Sequence, residues 1–166
     1  MNSTSSGVRL QRILVPVDFS GLTATALLYA AAFAREHRAM ITLLHVVEPD
    51  GSHVKRNITR ERLVEEMSEA GEHQLRKLVE VLWGDEISTD IVVATGKPHR
   101  QIINEAKEMN SDLIIMAGPN AVGSWGLFRR DTTAKVVRHA PCPVLVVPAL
   151  EHGFAVGASV EKRPDR

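Results

Sequence analysis

Asp112-Leu-Ile-Ile-Met-Ala117 and Pro143-Val-Leu-Val-Val-Pro148 are the two stretches of sequence that decide the fold. Each is strongly apolar, too short for a helix and bounded by residues that break secondary structure, which predicts two buried strands. Between them lie the long loop Gly118-Pro-Asn-Ala-Val-Gly-Ser-Trp-Gly126 and a helical pattern from Asp131 to His139. A loop of this length inside a compact unit usually binds a ligand or covers a site, so we expect function there.

Strand and helix patterns alternate through the rest of the chain. The predicted strands are Ile13–Val17, Met40–Val47 and Glu86–Ala94, and the predicted helices are Leu22–His37, Thr59–Trp83 and Pro98–Met109, with Pro98 in the first turn of its helix. Such alternation predicts an α/β fold in which a parallel sheet carries helices on both faces, the doubly wound, Rossmann-like architecture.

The predicted topology indicates where a ligand binds. In open parallel sheets, ligands lie outside the carboxyl ends of the strands, at the point where the strand order reverses. If the first three strands wind one way and the last two the other, the first and fourth strands are neighbours. The crevice is then lined by Pro16, Val17 and Asp18 on one side and by the loop that begins at Ala117 on the other.

Composition narrows the setting. The chain has 166 residues, enough for one domain with its own core, and its 20 basic residues balance its 20 acidic ones. This balance gives no general attraction for nucleic acid or an anionic membrane, and no apolar run is long enough to span a bilayer. We therefore expect a soluble, cytoplasmic protein without a nucleic-acid or membrane partner. Residues 1–9 are expected to be a disordered segment, and residues 149–166 a flexible tail.

The reactive side chains do not form a recognisable catalytic or metal site. The seven histidines never fall at metal-ligand spacing, and His139 near a helix end is explained by the helix dipole. Cys142, between two prolines, is interpreted as a small buried hydrophobe. No general base can be nominated for Ser124, so the sequence predicts neither catalytic residues nor a metal.

Five motifs carry a family resemblance. They are Arg12-Ile-Leu-Val-Pro-Val-Asp-Phe-Ser20, Leu43-Leu-His-Val46, Gly96-x-Pro98, Asp112-Leu-Ile-Ile-Met116 and Lys135-Val-Val-Arg-His-Ala-Pro-Cys-Pro-Val-Leu-Val-Val147. Together they resemble a universal stress protein domain spanning residues 10–148. The resemblance implies a five-stranded parallel sheet of order 3-2-1-4-5, which agrees with the topology inferred above.

Many members of that family bind ATP through a glycine-rich loop, from which this chain departs. The family loop reads Gly, two residues, Gly, nine residues, then Gly followed by Ser or Thr. Aligned from Lys135, the three glycines fall on Ala117, Asn120 and Arg130, and the hydroxyl residue falls on Asp131. Glycine allows the backbone to approach phosphates closely, and a carboxylate at a helix start occupies the amides that a phosphate would use. The resemblance therefore implies an impaired phosphate site.

The adenosine end of the family's site is retained. In ATP-binding relatives, positions matching Pro16, Val17, Asp18 and Val46 hold the base and ribose. For Asp18, a helix N-cap is an equally good interpretation. Gly123 and Gly126 are candidate phosphate contacts, although loop glycines more often serve the turn, and Gly118 is a further candidate for nucleotide binding. Arg129 and Arg130 could offset part of the charge of Asp131.

Two functions therefore compete. The preferred one is a non-enzymatic stress-response regulator that acts as a homodimer and requires no cofactor. The alternative is a protein that binds ATP or AMP, with slow ATP hydrolysis. The dimer is expected to form through Val144, Leu145, Val146 and Val147, because the last strand would otherwise be an exposed apolar edge. Trp125 and Phe128 mark a protein-partner surface or fold back over the crevice.

Overall fold

The sheet has the predicted order. The computed structural model describes residues 9–49, 59–118 and 130–148. Its strands are β1 (Arg12–Val17), β2 (Met40–Val47), β3 (Thr89–Thr95), β4 (Leu113–Ala117) and β5 (Val144–Val147), and its helices are α1 (Thr23–His37), α2 (Arg60–Leu82), α3 (Pro98–Glu108) and α4 (Arg130–His139). All four strand pairs are parallel, in the order β3-β2-β1-β4-β5, which confirms the α/β class and the order implied by the family resemblance.

Two apolar clusters hold the helices on opposite faces of the sheet. Ile13 and Val15 of β1 pack with residues of α1 and α2, whereas Leu14 packs with Ile102 of α3 and Val136 of α4. Successive side chains of a strand point to opposite faces, so the unbroken apolar run of β1 serves both clusters. In the described ranges, no helix is long and apolar enough to cross a membrane.

Most element boundaries lie within two residues of their predicted positions, but β3 does not. The strand was expected from Glu86 and begins at Thr89. The preceding residues form a turn, in which Gly84 adopts a positive φ of 51° and the amide of Glu86 donates to the carbonyl of Trp83. The Trp83 indole then donates to the hydroxyl of Thr89, which fixes where the strand starts.

The hydrogen-bonded ladder between β1 and β4 is short because of Pro16. β1 pairs with β2 from Arg12 to Val17, but its register with β4 covers only Ile13 with Leu113 and Leu14 with Ile114. The carbonyl of Arg12 accepts from the amide of Asp112, just before β4, so alternate residues of β1, including residue 16, point their peptide groups toward β4. Proline has no N–H to donate, and the ladder stops before the carboxyl end of the strand.

Asp112 aligns the amino ends of the same two strands. Its Oδ2 accepts hydrogen bonds from the amides of Gln11 and Arg12 at 2.8 and 2.9 Å, and its own amide donates to the carbonyl of Arg12 at 2.9 Å. The Arg12 side chain in turn donates to the carbonyl of Asn110 at 2.8 Å. The carboxylate therefore sets the register of the two central strands across about 100 residues of chain.

We predict that Asp112→Ala lowers the free energy of unfolding by about 2 kcal/mol, since two amides lose a charged acceptor. Asp112→Asn retains an acceptor oxygen and should lose less than half of that amount. Urea denaturation followed by circular dichroism measures both values. Equal losses in the two variants would contradict an acceptor role and assign the effect to the charge alone.

Candidate functional site

The predicted crevice lies at the carboxyl ends of β1 and β4. Pro16 and Val17 are the last two residues of β1, Asp18 follows directly, and Ala117 is the last residue of β4. Because β1 and β4 are adjacent and parallel, the structure brings these residues to the same edge of the sheet. The ladder between the two strands has already ended at this point, so the strand ends face an interruption in the sheet.

Asp18 organises the turn that leads from β1 into α1. Its Oδ1 accepts from the amide of Ser20 at 3.0 Å, from the hydroxyl of Ser20 at 2.6 Å and from the hydroxyl of Thr23 at 2.7 Å. Interpreting Asp18 as the helix N-cap was wrong, because the N-cap is Leu22, which makes no side-chain capping bond. All three of these bonds end on Oδ1, and among the described residues no hydrogen bond to Oδ2 of Asp18 is found.

His45 contacts both residues that flank Asp18, and the sequence did not nominate it as a candidate. Its Nδ1 lies 2.9 Å from the carbonyl oxygen of Val17, and its ring centroid is 4.6 Å from that of Phe19. Phe19 has a φ of 57°, which is uncommon for a residue with a side chain. The histidine of the Leu-His-Val motif was the available signal, but nothing in the sequence indicated that its ring reaches across to β1.

Val46 presents a backbone acceptor to the crevice. Met40 donates its amide to β1, whereas Ile41 donates to the segment before β3, so even-numbered residues of β2 direct their peptide groups toward β1. By this alternation the Val46 carbonyl is directed toward the β1 side of the sheet, beyond Val17, the last residue of that strand. No backbone amide of the described residues donates to it outside the ladder, while its side chain is buried with the α3–α4 cluster.

Gly118 is required by packing against β5. Its amide donates to the carbonyl of Val147 at 2.7 Å, and a Cβ atom added at residue 118 would lie 2.7 Å from Cγ1 of Val146. Its φ lies outside the left-handed region, so the backbone does not demand glycine here. Ala117 beside it is buried, with 4% of its surface exposed. The side of the crevice formed by β4 therefore rests on the last strand.

Helix α4 begins at Arg130, which places Asp131 in its first turn. Thr132 and Thr133 follow and are buried, and the Thr133 hydroxyl has no partner within the described part of the chain. Several other predicted positions lie outside the described residues: Asn120, Gly123, Ser124, Trp125, Gly126, Phe128 and Arg129. The structure therefore locates the start of the helix that follows the predicted phosphate loop, and the loop contacts stay predictions.

Cys142 and His139 make contacts that stabilise the fold. Burial raises the pKa of the Cys142 thiol, with a smaller contribution from the charge of Asp112, which favours the unreactive thiol form. The thiol is half-buried and packs against the α3–α4 cluster. Nδ1 of His139 is 2.9 Å from the carbonyl oxygen of Lys135, in the last turn of α4. Within residues 9–49, 59–118 and 130–148, no group of three or more potential metal ligands is found.

β5 forms one edge of the sheet and pairs with β4. The carbonyls of Pro143 and Val147 accept from the amides of Ile114 in β4 and of Gly118 just after it. The peptide groups of Val144 and Val146 therefore point away from β4, toward the open edge. Val144, Leu145 and Val146 are half-buried against the two apolar clusters. The strand proposed from sequence as a dimer contact is thus an edge strand with outward-facing peptide groups.

This architecture, in which the strand order reverses between β1 and β4, is that of a doubly wound, Rossmann-like α/β domain. The family model described as "Universal stress protein family" matches residues 9–148, and the chain belongs to that family. A universal stress protein of Thermus aquaticus is 33% identical over 137 residues, covering 81% of this chain and 96% of the relative. One from Methanocaldococcus jannaschii is 27% identical over 147 residues, covering 82% of this chain and 81% of the relative.

Solved structures agree on the fold. A second Methanocaldococcus jannaschii protein superposes with a TM-score of 0.71 at 24% identity, covering 87% of this chain and all of the other. A universal stress protein from Archaeoglobus fulgidus, solved in complex with dAMP, superposes with a TM-score of 0.58 at 17% identity, covering 84% of this chain and 98% of the other. Another similar structure, at a TM-score of 0.58, is a universal stress protein in complex with cAMP.

We predict that Gly118→Ala destabilises the protein by roughly 1–3 kcal/mol, because the added methyl group overlaps the stiff side chain of Val146. Val146→Ala removes that side-chain atom. The double variant should therefore be more stable than the sum of the two single losses predicts, by at least about 0.5 kcal/mol. Thermal and urea unfolding of the four proteins completes the cycle, and strict additivity would show that the two residues do not contact each other.

Proposed function

We propose that this protein is a non-enzymatic, dimeric regulator of the stress response. Its crevice takes the adenosine part of a nucleotide and binds the phosphates of ATP weakly. The observation that carries the proposal is a pair of acceptors at the base end, the Val46 carbonyl and Oδ2 of Asp18. Among the described residues, no hydrogen bond to Oδ2 is found, and no backbone amide outside the strand ladders donates to the Val46 carbonyl. Adenine offers an exocyclic amine as a donor and a ribose offers hydroxyls, so these acceptors match the nucleoside.

The base end is supported by how firmly Asp18 is held. Three hydrogen bonds to Oδ1 fix the carboxylate in one orientation before any ligand arrives. A prearranged acceptor loses little conformational entropy on binding, which favours affinity for a ligand as small as a nucleoside. The dAMP and cAMP complexes of structurally similar proteins are consistent with a fold that accommodates an adenine monophosphate.

The phosphate end is proposed to be impaired by an aspartate in the first turn of α4. The amides of a helix start attract anions, and a carboxylate there competes with a bound phosphate for them. At a separation of about 5 Å and an effective dielectric constant near 20, two like charges repel by about 3 kcal/mol before salt screening. The penalty grows with the number of charged phosphates, so ATP should suffer more than AMP.

The alternative function is an ATP-binding protein with slow hydrolysis. The adjacent Arg129 and Arg130 favour it, because guanidinium groups bind phosphates well and would counter the charge of Asp131. Under this alternative ATP binds more tightly than AMP, since additional phosphates add contacts to arginine. The order of nucleotide affinities therefore separates the two functions.

We predict that adenosine and AMP bind the wild-type protein more tightly than ATP does, with an ATP dissociation constant above about 1 μM. Isothermal titration calorimetry with the three ligands measures the order. Asp18→Asn keeps one oxygen that can accept the bonds from Ser20 and Thr23 and replaces Oδ2 by an NH2 donor, so AMP affinity should fall by about tenfold. A sub-micromolar ATP constant would refute the impaired site.

The phosphate end should be restorable. The triple variant Asn120→Gly, Arg130→Gly and Asp131→Ser is expected to gain at least about 2 kcal/mol of ATP affinity. Most of the gain should come from Asp131→Ser, because removing a charge outweighs the roughly 1 kcal/mol scale of a glycine's conformational effect. If Asn120→Gly improves ATP binding and Asp131→Ser alone does not, backbone geometry rather than charge limits the site.

The dimer is proposed to form by pairing of β5 with the same strand of a second copy. Two-fold symmetry requires that the two strands run antiparallel, so that each contact is made twice. The outward-facing peptide groups of Val144 and Val146 supply the donors and acceptors for such a ladder. Unpaired, they would be an exposed edge of the kind that proteins usually cover.

We predict that Val146→Pro makes the protein monomeric at micromolar concentration. Proline removes an N–H that points away from β4, so the intramolecular ladder stays intact while the intermolecular one loses a donor. Val146→Ala shortens the same side chain and keeps the N–H, and it should remain dimeric. Light scattering coupled to size-exclusion chromatography gives both masses. A monomeric wild type, or a folded Val146→Pro dimer, would rule out pairing through β5.

A further inference from the structure

We infer that His45 is a positioning residue for the adenosine end of the crevice, and that its ring links this end to helix α2. The inference rests on the proposed function and deepens it, because it identifies which group holds the β1–α1 turn in its ligand-accepting form. His45 itself lies on the face of β2 opposite to the Val46 side chain, since successive residues of a strand alternate. It would act on the ligand through Asp18 and the Val17–Phe19 backbone.

The hydrogen bond to Val17 shows that Nδ1 of the His45 ring carries a proton. A carbonyl oxygen only accepts, so the 2.9 Å contact requires a proton on Nδ1 of His45. Val17 immediately precedes Asp18, and the bond therefore anchors the last peptide group before the carboxylate. The contact is half-buried, where a hydrogen bond is less exposed to competition from water than at the surface.

The ring also supports Phe19 on the other side of Asp18. The centroids of the two rings are 4.6 Å apart with an angle of 46° between their planes, within the range of favourable aromatic contacts. Phe19 has the disfavoured positive φ of 57°, a conformation that persists only where its surroundings hold it. His45 thus contacts the residue before Asp18 and the residue after it, and together these contacts hold the backbone that carries Asp18.

Gly71 lets helix α2 close over the same ring. A Cβ atom added at residue 71 would lie 2.7 Å from Cδ2 of His45, closer than any real contact of that kind. The helix backbone is therefore packed directly on the imidazole, and glycine is the residue type that permits it. One ring is thus in contact with the crevice turn and with the longest described helix, whose remaining surface is largely exposed and charged.

Two variants at residue 45 separate positioning from packing alone. His45→Asn places an amide N–H as many bonds from Cβ as Nδ1 is, so it can keep the bond to Val17 without the ring. His45→Leu keeps much of the bulk without any donor. The amide region of the NMR spectrum is first used to show that each variant is folded, so that affinities are compared between native states.

AMP binding measured by calorimetry should weaken by about tenfold in His45→Leu, which has no donor for the Val17 carbonyl. It should weaken by less than about threefold in His45→Asn, which keeps that donor and loses only the ring. Gly71→Ala, which pushes on the ring from the helix side, should weaken AMP binding in the wild-type background and have no further effect in His45→Leu. A purely structural role would lower thermal stability in all variants without this rescue by asparagine. Wild-type AMP affinity in folded His45→Leu would overturn the inference.

The positioning role of His45 can be tested even if the protein binds no adenine nucleotide. Should the wild-type protein bind neither AMP nor adenosine, the base-end function is refuted, and the positioning role is judged from the amide resonances of Asp18 and Phe19. These resonances should move in His45→Leu and stay close to their wild-type positions in His45→Asn. Unchanged resonances in both variants would show that the ring does not hold the turn.

Discussion

The missing N–H of Pro16 is the constraint on which the candidate site depends. A regular central strand would continue its ladder to the last residue, and the sheet would be closed between β1 and β4. Here β1 pairs fully with β2 and only at Ile13 and Leu14 with β4. The ladder between β1 and β4 stops at the point where the strand order reverses, which is where ligands bind in sheets of this kind. Pro16, a residue type that is usually excluded from central strands, therefore locates the candidate site.

The fold was predictable from sequence because the signals are local and repeated. Short apolar runs bounded by proline and polar residues identified all five strands, and the helix start at Pro98 follows from its fixed φ. Strand order was inferred from the common doubly wound topologies and from the family resemblance, since periodicity does not reveal which strands are neighbours. The late start of β3 was missed because Ile87 is apolar and buried although it belongs to a turn, so composition alone gave no signal.

The location of the candidate residues in the fold was predictable from sequence, whereas their contacts were not. Residues were correctly placed at the ends of β1 and β4, because parallel strands bring their carboxyl ends together. The hydrogen bonds of Asp18 to Ser20 and Thr23 were not foreseen, since an aspartate before a helix fits a cap equally well. The role of His45 depends on a register between β1 and β2, and the reason for Gly118 depends on the side chain of Val146, neither of which a single sequence shows.

The clamp formed by Asp112 has a consequence for the order of folding. The segments of β1, β2 and β3 are joined by nearby crossovers, whereas the contact of Asp112 with Arg12 closes a loop of 100 residues. Closing so long a loop is entropically costly, and contacts of this kind slow folding and form late. During synthesis on a ribosome, the first three strands leave the tunnel before Asp112 does. Until Asp112 emerges, the edge of β1 that later pairs with β4 is unpaired. At this stage the partly formed sheet is exposed to chaperones and to incorrect strand partners.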